Sequence, residues 1–358
     1  MRRSRTAIQL VALSLAFASS IVAQNPAQTP AAAPAAPAAM AGSPYLGKIL
    51  REDLYADIWV RPGLAPRDRS LITIAVNQSL YATEEIRAHV RRGLDNGLTQ
   101  AEISELIAHV LVYSGFPTGV NAARVATEVF TERNLPAVPP SSPRNRDPVV
   151  PPAYPNSFPA TPYLAALLNE WVYGEVWERP DLSKRDRSLA TIAVAQAMGA
   201  ASELRSHLAR GLDNGVTQTE IGELIAHVAF YTGIPSAVNA SRVAAAVFDQ
   251  RNLPMPQADY PASPYLDTLI DGLLAETWGR SPLTERERTL VTLAVMQTLY
   301  STDELRVQME HALDDGITPQ EISELIAHVT LYSGFPMGVN GSRTAGALFQ
   351  ARGLPMPQ

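Results

Sequence analysis

The hexapeptide Glu-Leu-Ile-Ala-His-Val occupies positions 105–110 and returns unchanged at positions 223–228 and 324–329. A second motif comes shortly before each copy: Gly-Leu-Asp-Asn-Gly at 93–97 and 211–215, and Ala-Leu-Asp-Asp-Gly at 312–316. Self-similarity of this kind is the sequence signature of tandem structural repeats. The sequence therefore predicts three copies of one folding unit.

Recurring motifs also mark where each unit begins and ends. Every copy opens with Pro-Tyr-Leu and closes with Leu-Pro, which predicts repeats at 44–136, 162–254 and 264–355. The segment 137–161 is rich in proline and is predicted to link the first two repeats. A shorter linker at 255–263 is predicted to join the last two.

The pattern inside a repeat is helical. Apolar residues from position 45 onward recur near helical spacing, and no segment alternates with the period of a strand. Thr99 and Glu102 form a capping-box pattern, and Gly97 and Gly115 stand where helices should end. We therefore predict an all-α fold with about five helices per repeat. In repeat 1 they are expected at 45–59, 66–80, 83–95, 100–114 and 118–132.

The N-terminus has the order of a secretory signal at residues 1–23. Arg2, Arg3 and Arg5 precede an apolar run at 7–18, and small residues follow. An uncleaved membrane anchor is the alternative, but the run is short for a membrane span. Residues 24–43 are rich in alanine and proline and are predicted to form an extended linker. We therefore expect a periplasmic or secreted protein with no membrane segment after signal removal.

The composition excludes several classes of partner and chemistry. The 358 residues are 46% apolar and 18% charged, a balance that supports a sizeable buried core. The formal net charge of −6 gives no electrostatic attraction to nucleic acid or anionic lipid. The sequence contains no cysteine, which excludes disulfides, thiol catalysis and thiolate metal sites within it.

The third helix of the first two repeats carries a carboxylate one turn before an imidazole. Glu85 precedes His89 in repeat 1, and Glu203 precedes His207 in repeat 2. A carboxylate at this spacing can orient an imidazole for general acid or base catalysis, so these four residues are the predicted catalytic groups. Repeat 3 has Gln308 at the histidine position. The alternative is that each Glu–His pair lies on the helix surface and has little functional consequence.

The fourth helix carries a second pair of this kind, on the side opposite its apolar face. The pairs are Glu105 with His109, Glu223 with His227 and, in repeat 3, Glu324 with His328. These side chains must meet solvent, a neighbouring repeat or another subunit. One interpretation is a polar contact between repeats, and the other is a substrate-binding pocket that two repeats line together.

Four arginines are candidates for binding the carboxylate of a substrate: Arg87, Arg205, Arg124 and Arg242. The first two lie between the glutamate and the histidine of the third helix, and the others lie on the fifth helix. Intramolecular salt bridges to helix glutamates are the alternative. Local spacing fixes no third ligand beside any Glu–His pair, so no metal site is predicted.

Taken in order, these motifs resemble the carboxymuconolactone decarboxylase family. They are Glu85-x-Arg87-x-His89, Gly-Leu-Asp-Asn-Gly, Thr-x-x-Glu, Glu-Leu-Ile-Ala-His and Tyr-x-Gly-x-Pro, and they cover roughly 60–70 residues of each repeat. The resemblance implies an all-helical fold that oligomerises extensively. It also implies one of two activities: decarboxylation of a carboxylated lactone without a metal or organic cofactor, or a thiol peroxidase activity.

The peroxidase branch, which is named after alkylhydroperoxidase D, needs Cys-x-x-Cys four residues before the histidine. The sequence has no cysteine at these positions, which are held by Ala82 and Glu85, Ala200 and Glu203, and Ser301 and Glu304. Without a thiol this redox cycle cannot run. A peroxiredoxin-type activity is therefore disfavoured.

The sequence thus predicts a cofactor-independent lyase, or a related acid–base enzyme, acting on a small carboxylate or lactone-like molecule. A non-catalytic binding or scaffold protein of the same fold is the alternative. Gln308 fits either partial degeneration or a division of labour between repeats. Because decarboxylases of this family resemble rings of paired subunits, three repeats per chain predict a homodimer that imitates a hexamer.

Overall fold

The computed structural model describes residues 42–136, 159–280 and 282–357. Within these ranges the regular structure is helical and no strand occurs, which confirms the all-α prediction. The predicted signal at 1–23, nearly all of the linker at 24–43 and most of the linker at 137–161 lie outside the described residues. No helix in the described ranges combines the length and the hydrophobicity of a membrane span.

Repeat 1 consists of a broken opening helix and four regular helices. The opening helix becomes π-helical after Ile49, so the prediction of one continuous α-helix over 45–59 was wrong. The four regular helices match their predicted bounds within two residues at each end. The elements are α1 (Pro44–Ile49, continued by the π-helix Leu50–Tyr55 and the 3-10 turn Ile58–Val60), α2 (Pro66–Ser79), α3 (Thr83–Asp95), α4 (Gln100–Ser114) and α5 (Phe116–Glu132).

Repeats 2 and 3 reproduce this order. Repeat 2 contains α6 (Pro162–Ala166, continued by the π-helix Leu167–Tyr173 and the 3-10 turn Val176–Glu178), α7 (Lys184–Ala197), α8 (Ala201–Asp213), α9 (Gln218–Thr232) and α10 (Ile234–Gln250). Repeat 3 contains α11 (Tyr265–Leu269, continued by the π-helix Ile270–Leu274), α12 (Ala275–Trp278), α13 (Glu285–Thr298), α14 (Thr302–Asp314), α15 (Pro319–Ser333) and α16 (Phe335–Ala351).

Side chains fix the ends of the fourth helix in every repeat, as the motifs predict. Thr99 caps α4 and Glu102 reaches back to the backbone N–H of Thr99, and the same capping box begins α9 and α15. Gly115 ends α4 with a φ of 91°, a conformation that favours glycine. The next helix can therefore turn back and pack against the one before it.

Repeats 1 and 2 share one hydrophobic core, whereas repeat 3 has a separate one. The shared core forms where α2 packs against α7, and every residue from Asp68 to Gln78 is buried. Repeat 3 joins this core through its opening segment, from which Leu266 and Leu269 contribute side chains. Repeats 1 and 2 therefore form one compact pair, to which repeat 3 is attached.

Candidate active site

Helix α3 carries His89 into the interior, where only 2% of the side chain is exposed. Glu85, one turn earlier, is exposed, and the described structure contains no hydrogen bond between the two. Helix α8 repeats this with a buried His207 and an exposed Glu203. Residues four apart differ by about 40° around a helix, which here separates the buried face from the solvent face. The predicted orienting contact between the glutamate and the imidazole is therefore not formed.

Aromatic rings from both repeats surround His89. Its ring stacks on Trp59 of repeat 1, with centroids 5.7 Å apart and planes inclined by 9°. Tyr231 of repeat 2 meets His89 edge-on at 5.7 Å, and His227 of repeat 2 lies 5.1 Å from Trp59. The indole N–H of Trp59 donates to the hydroxyl of Tyr231 over 3.2 Å. We refer to these four residues as the His89 cluster.

A second cluster has the roles of the two repeats exchanged. His207 stacks on Trp177 of repeat 2 at 5.9 Å, and Tyr113 of repeat 1 meets it edge-on at 5.4 Å. His109 lies 5.1 Å from Trp177, whose indole N–H donates to the hydroxyl of Tyr113 over 2.9 Å. We refer to these four residues as the His207 cluster. The chain thus holds two copies of one arrangement, and each copy needs both repeats.

The two central histidines have unused hydrogen-bonding groups. Nδ1 of His89 and Nδ1 of His207 are buried, and within the described ranges neither ring makes a hydrogen bond. Burial lowers the pKa of His89 to about 3 and that of His207 to about 4, and Arg92 and Arg210 act in the same direction. Both rings are therefore neutral at pH 7. Each offers one donor and one acceptor to a bound molecule.

An arginine lies at the edge of each cluster. The guanidinium of Arg92 is 4.6 Å from the ring centroid of Tyr55 and 4.9 Å from that of Trp59. Arg210 takes the same position over Tyr173 and Trp177. Neither arginine forms an ion pair with any residue of the described ranges. Each can therefore bind a carboxylate beside its cluster.

The second Glu–His pair lies at the boundary between repeats 1 and 2. Glu223 accepts hydrogen bonds from Arg61 at 2.7 Å and from Arg69 at 2.9 Å, and Glu105 is held in the same way by Arg179 and Arg187. Burial alone would raise the pKa of Glu223, but the hydrogen bonds from Arg61 and Arg69 outweigh it, so this pKa lies below its ordinary value. The glutamates thus form a contact between repeats, next to the clusters.

The histidines of this pair are held by threonines of the other repeat. The hydroxyl of Thr73 donates to the carbonyl of Arg69, so it accepts the Nε2–H of His227 over 2.8 Å. His109 and Thr191 repeat this contact at 2.8 Å. Burial lowers the pKa of both histidines well below the ordinary value, so both are neutral. Among the described residues, no group of three or more histidine, aspartate or glutamate side chains could hold a metal ion.

Comparison with known families agrees with this duplicated arrangement. The model of the carboxymuconolactone decarboxylase family matches residues 44–128, 162–246 and 264–342, which together are most of the chain. The chain belongs to the carboxymuconolactone decarboxylase family. The three matches coincide with the three repeats, so each repeat is one family unit.

Two curated relatives of this family member are named as decarboxylases. A 4-carboxymuconolactone decarboxylase from Acinetobacter baylyi is 46% identical over 82 residues, which are 23% of this chain and 61% of that protein. A nitrosuccinic acid decarboxylase from Metarhizium robertsii is 40% identical over 85 residues, 24% of this chain and 59% of that protein. The chain therefore spans about three-fifths of the length of these relatives.

The arginines selected from the sequence lie on the surface of this family member rather than beside the clusters. Arg87 and Arg124 both pair with Glu128 at 2.6 Å, and Arg242 pairs with Glu304 of repeat 3 at 2.5 Å. Arg205 is exposed. Salt bridges thus account for three of the four, and the cations beside the clusters that have no ion-pair partner in the described ranges are Arg92 and Arg210 instead.

Repeat 3 has the backbone of a family unit but no cluster. Gln308 replaces the buried histidine, and Leu274 and His311 replace the tyrosine and the arginine of the rim. Glu324 and His328 are exposed, because no other repeat covers them within the part of the chain that the structure describes. Sequence reasoning missed Trp59, Trp177 and the rim arginines. The signal that could have found the tryptophans is their recurrence at the same place in every repeat, with Trp278 as the third copy.

Proposed function

We propose that the chain is an exported decarboxylase that acts without a cofactor on a small carboxylated, lactone-like molecule. The observation that carries this proposal is the duplicated cluster, in which a buried histidine with unused ring nitrogens lies beside an arginine that has no ion-pair partner in the described ranges. The names of both relatives support the reaction type, since each denotes the loss of carbon dioxide from an acid.

The reaction needs an electron sink and a proton. The bond between carbon and the leaving carboxylate breaks, its electron pair passes into the carbonyl beta to that carboxylate, and carbon dioxide departs. A proton must then reach the carbon that lost the carboxylate. The carbonyl belongs to the substrate, so the protein has to bind an anion, exclude water and deliver a proton.

We assign the delivery of this proton in repeat 1 to His89. Its pKa of about 3 keeps it neutral in the empty cluster. An anionic substrate bound by Arg92 raises the pKa of the adjacent ring, so His89 takes up a proton from solvent as the substrate binds. The imidazolium then donates that proton to carbon and returns to the neutral form. His207 and Arg210 have the same roles in the second cluster.

The other glutamates and histidines selected from the sequence assist proton delivery without taking part in it directly. Burial raises the pKa of the Tyr55 phenol; Arg92 opposes this shift, and the charge of Glu85 adds to it. We assign to Glu85 the passage of protons between solvent and the rim, since it is exposed one turn before His89. Glu223 and His227 fix the wall of the His89 cluster, as Glu105 and His109, with their arginines and threonines, fix that of the His207 cluster.

The test combines ligand binding with turnover. The mature protein is screened for thermal stabilisation by small carboxylated lactones, and each hit is assayed for release of carbon dioxide. His89→Gln with His207→Gln should remove turnover and leave the far-UV circular dichroism unchanged. His311→Gln, an exposed histidine of repeat 3, is the matched control and should keep full turnover. Unchanged turnover in the double variant would show that the clusters are not catalytic.

One observation favours a non-catalytic binding function for part of the chain. Repeat 3 keeps the fold but has Gln308 in place of the histidine, so it cannot transfer a proton at that position. If binding is the function of all three repeats, ligands will stabilise the protein and none will be consumed. The same screen therefore separates the two functions.

Export and assembly complete the proposal. The basic and apolar order of residues 1–23 supports a signal peptide, and hence a periplasmic or secreted enzyme. The exposed Glu324 and His328 of repeat 3 support a homodimer, because the same pair is buried by a second repeat elsewhere in the chain.

A further inference from the structure

Polar contacts between α2 of repeat 1 and α9 of repeat 2 show how these two helices are aligned. Two contacts one helical turn apart define the alignment: Glu223 with Arg69 at 2.9 Å, and His227 with Thr73 at 2.8 Å. The helices therefore run side by side in the same direction, and the next turn of each brings Tyr231 level with Asn77. Since Tyr231 belongs to the His89 cluster, Asn77 lies on the wall that α2 contributes to this cluster.

The packing of α2 against α3 gives the same position for Asn77. The short turn at 80–82 makes these two helices antiparallel, and Gly93 of α3 packs against Ile74 of α2. His89 precedes Gly93 by one turn, so it is level with the turn of α2 that follows Ile74. That turn contains Asn77. The contacts with α9 and with α3 thus both place Asn77 at the level of the cluster.

The direction of the Asn77 side chain follows from its two neighbours on α2. Thr73 faces α9, and Ile74 faces α3. Asn77 is rotated by about 40° from Thr73 toward Ile74, because successive residues of an α-helix turn by about 100°. The side chain therefore points between α9 and α3, where the rings of the His89 cluster lie.

The amide of Asn77 has an unused hydrogen-bond donor. Only 2% of the residue is exposed, and its amide nitrogen makes no hydrogen bond with any residue of the described ranges. A buried amide without a partner lowers stability, so a group of this kind calls for a specific explanation. A bound molecule that offers an acceptor would supply the missing partner.

The His207 cluster lacks this donor. The counterpart of Asn77 in repeat 2 is Ala195, which is also buried. The contacts before it on α7 are retained: Glu105 with Arg187, and His109 with Thr191. The two clusters therefore share their rings and their rim arginine but differ in the hydrogen bond that α2 or α7 can offer.

We infer that Asn77 gives the His89 cluster a substrate specificity that the His207 cluster does not have. Its amide N–H donates to a carbonyl oxygen of a substrate whose carboxylate is bound by Arg92. The amide is neutral, so it favours a carbonyl over a second carboxylate, because a buried anion requires a cation. The methyl group of Ala195 favours an apolar group at the same place. The inference rests on the proposed function, since it takes both clusters as substrate sites.

The test compares two probes that differ only in the carbonyl. They are γ-carboxy-γ-butyrolactone and tetrahydrofuroate, the cyclic ether with the same ring and carboxylate. Calorimetry on the full-length mature protein uses an Arg210→Ala background, in which the His89 cluster is the remaining carboxylate site of the two. The lactone should bind about 10-fold more tightly than the ether, a difference of about 1.4 kcal/mol. Adding Asn77→Ala should weaken binding of the lactone alone and remove the preference.

The His207 cluster provides the matched control. In an Arg92→Ala background the two probes should bind equally, and Asn77→Ala should change neither affinity. Asn77→Leu tests for a structural role, because leucine has a similar shape and no polar group. It should abolish the preference for the lactone while the urea midpoint of the ligand-free protein stays at or above that of the parent.

Three outcomes would overturn the inference: equal affinity of the two probes at the His89 cluster, equal weakening of both probes by Asn77→Ala, and a lower urea midpoint for Asn77→Leu. The last would show that the amide supports the fold instead of binding a substrate. If neither probe binds to the parent protein, the proposed sites fail as well. If both probes bind equally to both clusters, the sites stand and only the difference in specificity is refuted.

Discussion

Acid should destabilise this protein well above the pH at which carboxylates titrate, because four histidines are buried in the neutral form. His89 and His207 have pKa values of about 3 and about 4, and those of His109 and His227 lie well below the ordinary value. An unfolded histidine, with a pKa of about 6.5, binds a proton between pH 7 and 5 while the folded one does not. The stability from each ring is therefore complete above pH 6.5 and is lost as the pH falls.

The expected loss follows from this difference in proton binding. One proton corresponds to about 1.4 kcal/mol per pH unit, so each histidine costs about 2 kcal/mol between pH 7 and 5. Four histidines together cost about 8 kcal/mol, which is comparable with the whole unfolding free energy of about 5–15 kcal/mol. The glutamates of the repeat boundary add to the loss only below about pH 4.3, the ordinary value for this group.

Urea unfolding at half-unit steps from pH 7 to pH 5 measures this slope. His89→Gln with His207→Gln should lose about 4 kcal/mol less than the parent protein over the same range, because two of the four groups no longer titrate. His311→Gln changes an exposed histidine and should follow the parent curve. If the double variant and the parent lose equal free energy, the two rings are not buried neutral in solution and the reasoning fails.

Three further predictions concern the boundary between repeats 1 and 2, thiol peroxidase activity and the export of the chain. Glu223→Ala leaves the fully buried Arg69 without its carboxylate and should lower the free energy of unfolding in urea by about 3–5 kcal/mol. The exposed Glu84→Ala should lower it by less than about 1 kcal/mol, and equal losses would contradict the buried ion pair. Peroxide with a dithiol donor should give only background turnover, because the sequence has no cysteine, and chelator-resistant turnover above a heat-killed control would refute this. Mass spectrometry of the exported protein should find an N-terminus near Gln24, and an intact N-terminus in the membrane fraction would argue against export.

Local chemistry made most of the helices predictable from sequence. The capping box at Thr99 and the left-handed Gly115 fix the ends of α4 through contacts within a few residues, so they can be read directly from the chain. The opening helix was not predictable in this way. Its π-helical and 3-10 turns keep apolar residues near helical spacing, so periodicity does not distinguish them from an α-helix.

The candidate site was only half predictable, because each cluster is assembled from different helices and from two repeats. Spacing along α3 identified His89 but placed Glu85 beside it, since spacing does not show where the buried face ends. Trp59 lies on the 3-10 turn before α2 and Tyr231 lies on another repeat, so no local pattern connects them to His89. The sequence left solvent, a neighbouring repeat or another subunit as the surroundings of Glu105 and His109. In the structure both side chains contact the neighbouring repeat.

Repairing repeat 3 would test the proposed site and the proposed dimer together. Three substitutions, Leu274→Tyr, Gln308→His and His311→Arg, restore the tyrosine, the central histidine and the rim arginine of the other repeats. In the proposed homodimer the remaining rings, those of His328 and Tyr332, come from the partner subunit, as the histidines at this position in repeats 1 and 2 contact the other repeat. A repaired dimer then has three complete clusters per chain instead of two, so turnover per chain should rise by up to about half, since sites that act independently contribute additively.

The gain should depend on assembly, because the third cluster is incomplete in one chain. Glu324 stands at the position of Glu223 and Glu105, which bind arginines of the other repeat, so Glu324→Arg should place like charges in the proposed interface. Adding it to the repaired protein should abolish the increase and return turnover per chain to the level of the parent. The clusters of repeats 1 and 2 lie within the chain and should continue to work in this monomer. If the repaired dimer shows no increase while its fold and mass are intact, the partner's rings do not reach Trp278 and the two copies pair in another way.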